Sequence, residues 1–309
     1  MFVYSRKHRL DGAKAECSEG TIKIYTKHLK TFSAWLMEQE SISEYGSITR
    51  NHIRRFIEYL TAKKTSGEWA DATYLQSLRS LRTFLHWVCR DPDCAEEGFD
   101  KRKLHLYLPS IPQSAPRNDI PPNADLKKFR TSFKTDTICG FRDYVISTLL
   151  MSDGIRAGEV CNLTLQALHL TDMPPTMVVD GKTGPRSVPL SKDMVRLLRA
   201  WLKRRAMLSP ATDSPYVFVT RTSPQMNSTV LGKSFRRNRA KHNLPRISPH
   251  TFRHAFCTNY LKNGGDLHRL KTITGHKTYQ MLDQYVKKSS EVSQVAHEEL
   301  ERMKLLEDC

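Results

Sequence analysis

The chain contains no apolar run approaching the about 18 residues that span a bilayer; its richest stretch, Tyr144 to Met151, is far too short. Its first residues, MFVYSRKHRLDG, lack the apolar core of a secretory signal. No CxxC pair occurs among its seven cysteines, Cys17, Cys89, Cys94, Cys139, Cys161, Cys257 and Cys309. An odd number without such pairs is not a disulfide framework. His86, Cys89 and Cys94 match no standard zinc spacing and have no fourth ligand nearby, so no metal is expected. Neither a glycine-rich nucleotide fingerprint nor the clustered carboxylates of a two-metal nuclease is present, so no cofactor is expected. These absences predict a soluble cytoplasmic protein with no membrane partner.

Acidic residues are also in short supply. Asp and Glu number 32 against 49 Lys and Arg, a net charge of +17. The excess is uneven: residues 1–115 are net +4, whereas residues 116–309 carry 31 basic and 18 acidic side chains. Such a protein fits a polyanionic partner, whose phosphates it binds with release of counterions. The plainer reading is a basic, solvated surface. A length of 309 residues suggests two domains, and 39% apolar content suffices for globular cores.

Residues 1–107 read as a helical bundle. Ile22, Tyr25, Leu29, Phe32 and Leu36 recur at helical spacing after Ser18 and Thr21. Ile53, Phe56, Ile57 and Leu60 form a second stripe, and Leu75, Leu78, Leu81, Leu85 and Val88 a third. Arg54, Arg55, Arg79 and Arg82 lie off the stripes, where they suit phosphate contacts or, equally, solvated faces. Residues 108–124 hold five prolines and no periodicity, the composition of a linker.

Residues 125–309 read as a mixed α+β domain with a small antiparallel sheet. Met177-Val178-Val179 and Ser187-Val188-Pro189-Leu190 flank Gly181-Lys182-Thr183-Gly184, a hairpin signal. Ser191 caps a helix with Met194, Leu197, Leu198, Trp201 and Leu202 on its buried face, and Tyr216-Val217-Phe218-Val219 reads as an edge strand. Lys233, Arg236, Arg237, Arg239 and Lys241 fall in a segment with no acid, suited to a DNA backbone. Val292, Val295, Ala296, Leu300 and Met303 continue a helical pattern in the tail.

Phosphate-handling side chains concentrate at helix starts and turns of this domain. They are Arg156 and Glu159 in GIRAGE, Lys182 at the hairpin tip, His250, Arg253 and His254 in PHTFRH, His276 after Gly275, and Tyr285. His250 and Arg253, at i and i+3, share a helical face. Arginine donates two parallel hydrogen bonds to phosphate and keeps its charge. Taken singly each has an ordinary reading: Arg156 as the partner of Glu159, Lys182 as a solvated hairpin lysine, the histidines and Tyr285 as packing.

Taken together, their order and spacing resemble the signature of the tyrosine recombinases, the phage integrase family, over residues 18–290. The first box stands here as DGIRAGEV, the hairpin lysine in GKTGPRSVPL, the second box as PHTFRHAFCT, and the third in ITGHKTYQMLDQY. Tyr285 lies nine residues after His276, the family's spacing for its nucleophile; Tyr279 does not. Asp153 stands where the family usually has Thr, and Gly158 where it has Ser or Thr. The bundle is similar to the family's SAM-like core-binding domain, giving a mainly α protein overall.

The resemblance implies strand cleavage by Tyr285 through a 3′-phosphotyrosyl link, without metal or ATP. Arg156, Arg253 and His276 would hold the phosphate, Lys182 would protonate the leaving 5′ oxygen, and His250 would assist Tyr285. Glu159 and His254 would play supporting parts. The implied partners are double-stranded DNA with inverted half-sites and further copies of the chain in a tetramer, with any accessory protein unspecified. The tail, residues 286–309, would dock on its own domain or on a neighbour. Only about 17 residues precede the first helix, too few for the arm-binding domain of larger phage integrases. Type IB topoisomerases resemble the same catalytic set, and a DNA-binding regulator on a recombinase scaffold is a third reading.

Overall fold

The computed structural model describes residue 17 and residues 19–42, 47–89, 107–110, 121–181 and 184–286. Lys182 and the tail pattern from Val292 to Met303 lie outside them. The chain divides into two compact units, Met1–Ala115 and Pro116–Cys309.

The first unit is built on helices α1 (Glu19–Glu40), α2 (Arg50–Thr65) and α3 (Asp71–Val88), which pack against one another in every pairing. Each turns an apolar stripe inward, so Phe32, Trp35, Leu36, Ile53, Phe56, Leu60, Leu78, Leu81 and Leu85 share one core. Fully burying a side chain of this size contributes roughly 1.5–3 kcal/mol, which fixes the helix rotations. α1 begins at Glu19, directly after Ser18, which lies outside the described residues. Within this core the His28 ring bonds the buried Ser77 hydroxyl at 2.6 Å. Burial, reinforced by Lys27, lowers the His28 pKa and keeps the ring neutral.

The second unit begins with α4 (Asn123–Thr131) and α5 (Ile138–Ser152), followed by the short α6 (Ala157–Asn162). Strands β1 (Leu168–His169), β2 (Thr176–Gly181) and β3 (Gly184–Pro189) form an antiparallel sheet in that order. The β2–β3 hairpin pairs Met177 with Val188 and Gly181 with Gly184. Helices α7 (Lys192–Arg205), α8 (Ser228–Lys241), α9 (Pro249–Lys262), α10 (Leu267–Thr274) and α11 (Asp283–Val286) complete the unit. Ser191 caps α7 as expected, its hydroxyl accepting the Met194 N–H. α5 runs through the centre, packed by both α7 and α9.

The expected strand at Tyr216–Val219 does not form. Beyond one isolated bridge between Thr164 and Tyr216, the sheet's outer strand is β1 instead. The reason lies in where the segment's carbonyls go. Arg205 Nε donates to Tyr216 O at 3.0 Å, Trp201 Nε1 to Val217 O at 2.9 Å, and Arg142 Nη1 to Val219 O at 3.1 Å. Side chains of α5 and α7 thus replace a ladder, while Val217, Phe218 and Val219 are fully buried in the core.

Candidate active site

Four segments of the second unit meet at one point. Arg156 precedes α6, Arg253 lies on α9, His276 follows α10, and Tyr285 is in α11. Gly275 makes the turn into His276 possible: it closes α10 at φ 64°, in the left-handed region that glycine adopts without strain.

Arg253 is 1% exposed and held from several sides. Nη1 donates to Gly154 O at 2.6 Å, and Nη2 to Thr274 O at 2.7 Å and His276 Nε2 at 3.1 Å. Burial, with Arg156 close by, pushes its pKa down to about 10, so it stays charged at neutral pH. A guanidinium has no acceptor, so His276 Nε2 carries the lone pair and Nδ1 the proton. Nδ1–H then donates to Thr274 Oγ1 at 2.6 Å, and that hydroxyl to Leu270 O at 2.5 Å. Burial and then the charges of Arg253 and Arg156 push the His276 pKa down to about 3. His276 is therefore neutral and braces Arg253; donating to a phosphate from Nε2 requires a proton there.

Arg156 is anchored but open. Its Nη1 donates to Glu159 Oε1 at 2.7 Å and its Nη2 to Gly275 O at 2.8 Å, with its side chain 28% exposed. Glu159 also accepts the Arg156 backbone N–H at 2.7 Å, satisfying an orphan donor at the start of α6. Burial opposes the charge of Glu159, yet hydrogen bonds from Arg186 and Arg156 hold its pKa at about 2. Its carboxylate bonds two arginines, Arg156 and Arg186. Arg186 was not singled out from the sequence, although a signal existed: two residues before buried Val188, it faces inward on β3.

Tyr285 is 1% exposed, packed with Cys257, Leu261, Leu270 and Leu282. Burial and the neighbouring Cys257 thiol, with which its hydroxyl is hydrogen-bonded, raise its pKa well above the ordinary phenol value. The rings nearest it are His254, at 5.3 Å between centroids, and His276, at 6.1 Å. His250 is exposed at the start of α9 and stacks edge-on against His254 at 4.3 Å, so His254 intervenes between His250 and the tyrosine.

The expected DNA-contact residues separate into groups. On α8, Lys233, Arg236, Arg237 and Lys241 form one exposed stripe opposite buried Leu231, Ser234 and Phe235, while Arg239 lies half-buried off it. On α2, Arg55 bonds Glu40 at 2.8 Å and exposed Arg54 sits 3.8 Å from Glu58. Arg82 donates to Pro109 O at 2.7 Å, tying α3 to the chain beyond it, and Arg79 is half-buried.

A mainly helical scaffold that clusters two charged arginines, a neutral histidine and a tyrosine is one able to hold a phosphodiester beside a phenol. Residues 125–291 match the family model described as the phage integrase family, and residues 6–93 its N-terminal SAM-like domain. The chain belongs to the phage integrase family, whose members are tyrosine recombinases: it is a site-specific recombinase that breaks and rejoins DNA strands. It is 26% identical over 262 residues to the tyrosine recombinase XerD of Listeria innocua, covering 84% of each chain. It is similar in fold to the XerH recombinase bound to palindromic difH DNA, with TM-score 0.67, 20% identity and coverage of 90% and 79%. It also resembles lambda integrase, solved as a tetramer on a Holliday junction, with TM-score 0.63, 15% identity and coverage of 92% and 76%. Among the described residues, no helix is long and apolar enough to cross a membrane.

Proposed function

We propose that Tyr285 is the nucleophile and that this chain recombines DNA at paired inverted half-sites as a tetramer holding two duplexes. The Tyr285 oxygen attacks the scissile phosphorus, the P–O5′ bond breaks, and the 5′ oxygen leaves with a proton from Lys182. The proton of Tyr285 passes to a histidine, for which His254 and His250 form a line. Arg156 and Arg253 hold the nonbridging oxygens as negative charge develops on them; losing one such donor typically slows a reaction by about 10²–10³-fold. The 3′-phosphotyrosyl bond conserves the energy of the phosphodiester, so a 5′ hydroxyl from another strand reseals the backbone without ATP.

The observation carrying this reading is the convergence of Arg156, Arg253, His276 and Tyr285 from four separate segments. In it, the first unit supplies further phosphate contacts, the linker expected at 108–124 gives way to the first core at Leu108 and to α4 at Asn123, and the tail (286–309) docks on its own domain or on a neighbour. The palindromic substrate of XerH and the tetramer of lambda integrase motivate the inverted half-sites and the assembly. The site of action is chromosomal or mobile-element DNA in a bacterial cytoplasm.

A covalent trap tests it. Native protein and Tyr285→Phe are incubated in EDTA with sheared genomic DNA of the source cell, and DNA retained through SDS is sequenced. Native protein alone should enrich one inverted repeat. Adducts formed equally by Tyr285→Phe would refute the nucleophile, and adducts spread evenly over the genome would refute site specificity.

A further inference from the structure

Among the described residues, Glu159 is the only acid bonded to Arg156, and Arg186 occupies most of it. Arg186 Nη1 donates to Glu159 Oε1 at 2.9 Å and Nη2 to Oε2 at 2.8 Å, a fork-to-fork pair. Its Nε donates to Ile273 O at 2.7 Å, and its side chain is 9% exposed. Counting the two bonds from Arg156, each carboxylate oxygen accepts two hydrogen bonds, and the acceptor is saturated. Bidentate pairing is the strongest arrangement a guanidinium and a carboxylate can reach. With Arg186 in that position, Arg156 is limited to a single side-chain bond on Oε1. Its Nη2 reaches Gly275 O instead, and its remaining N–H groups have no partner among the described residues.

We infer that Arg186 is a positioning residue for strand cleavage: by claiming the fork geometry of Glu159, it prevents Arg156 from closing onto that carboxylate and keeps it turned toward the scissile phosphate. This rests on the assignment of Arg156 to the phosphate made above. Arg186 also spans three parts of the site, since it sits on β3, bonds Glu159 of α6, and bonds Ile273 just ahead of Gly275-His276. Without it, Arg156 would rotate into a bidentate pair with Glu159 and give up the Gly275 carbonyl.

The test compares native protein, Arg186→Gln and Arg186→Lys in single-turnover cleavage of the trapped site, on ordinary DNA and on DNA with a methylphosphonate at the scissile position. The methyl group removes the charge that Arg156 is needed to neutralise. Removing a residue that orients a functional group usually costs about 10–100-fold, so Arg186→Gln should lose that much on phosphate DNA. On methylphosphonate DNA the loss should shrink to a few-fold, as it should for Arg156→Ala. Arg186→Lys, which keeps the charge without the fork, should fall between. Equal losses on both substrates, or no loss on phosphate DNA, would overturn the inference. Thermal melting identifies unfolding by Arg186→Gln, in which case the substrate comparison is decided with Arg186→Lys. An absence of any adduct with native protein would instead overturn the assignment of function.

Discussion

Asp153 offers a quantitative test of how the site's first box is held. It follows α5 at the helix C-terminus, where the helix dipole disfavours negative charge, and it is 7% exposed. Among the described residues, its carboxyl accepts one hydrogen bond, from the Ser152 hydroxyl at 2.5 Å. Burial therefore dominates and raises its pKa from 3.8 to about 6. A carboxyl whose pKa is higher folded than unfolded binds more protons when folded. Its contribution to stability is full below the unfolded value of 3.8 and is lost as pH rises through about 6. Converting the shift at 1.36 kcal/mol per unit gives a penalty of about 3 kcal/mol at pH 8 and about half that at pH 5. Asp153→Asn, which imitates the neutral form, should raise stability by that amount, with a gain at pH 8 about twice that at pH 5. For a unit of this size each kcal/mol moves the melting temperature by about 2–4 °C. Urea titrations of native protein and Asp153→Asn at both pH values measure the difference. A gain independent of pH, or a loss at pH 8, would refute the view that Asp153 is a desolvated carboxylate ionised at a cost.

Two further outcomes follow from distances at the site and from the charge stripe. A Cβ at Gly181 would overlap Glu159 Oε1, so Gly181→Ala should displace the carboxylate and slow cleavage at least as much as Arg186→Gln; single-turnover rates unchanged from native would contradict it. Replacing Lys233 and Arg236 by Gln should reduce the slope of log affinity against log salt by about 2, since each phosphate contact contributes about 0.9; filter binding across a salt series would show an unchanged slope if the α8 stripe faces solvent on the complex.

The sequence made the helices and the hairpin legible because their signals are short-range. Ile53, Phe56 and Leu60 repeat at helical spacing and are buried, and Gly181 and Gly184 bracket the turn where they pair. What could not be read depended on partners far along the chain. Tyr216–Val219 has the composition of a strand, but Trp201, Arg205 and Arg142 take its carbonyls. β1, at two residues, is too short to carry a pattern. Arg186 gains its meaning from Glu159, 27 positions earlier. The choice between His250 and His254 beside Tyr285 depends on how α9 is rotated against α11, since residues four apart occupy the same face.

Under the proposed mechanism, the two halves of the chemistry are stored differently. The electrophilic half is preset: Arg253 is braced by two carbonyls and by His276, and Arg156 by Glu159 and Gly275. Donors fixed in advance need no reorganisation when charge develops, which is where most of their advantage lies. The nucleophilic half is held back. A phenol buried among Leu261, Leu270 and Leu282 with a raised pKa is protonated and shielded, so it attacks nothing from that position. Arg253 and Arg156 already favour its phenolate, as nearby positive charge does, but burial and the Cys257 thiol outweigh them. α11 is itself packed against α9, with Tyr285 bonded to Cys257, so those contacts must break for it to move. On that mechanism Tyr285 must leave this packing before it attacks, whereas the arginine donors stand ready.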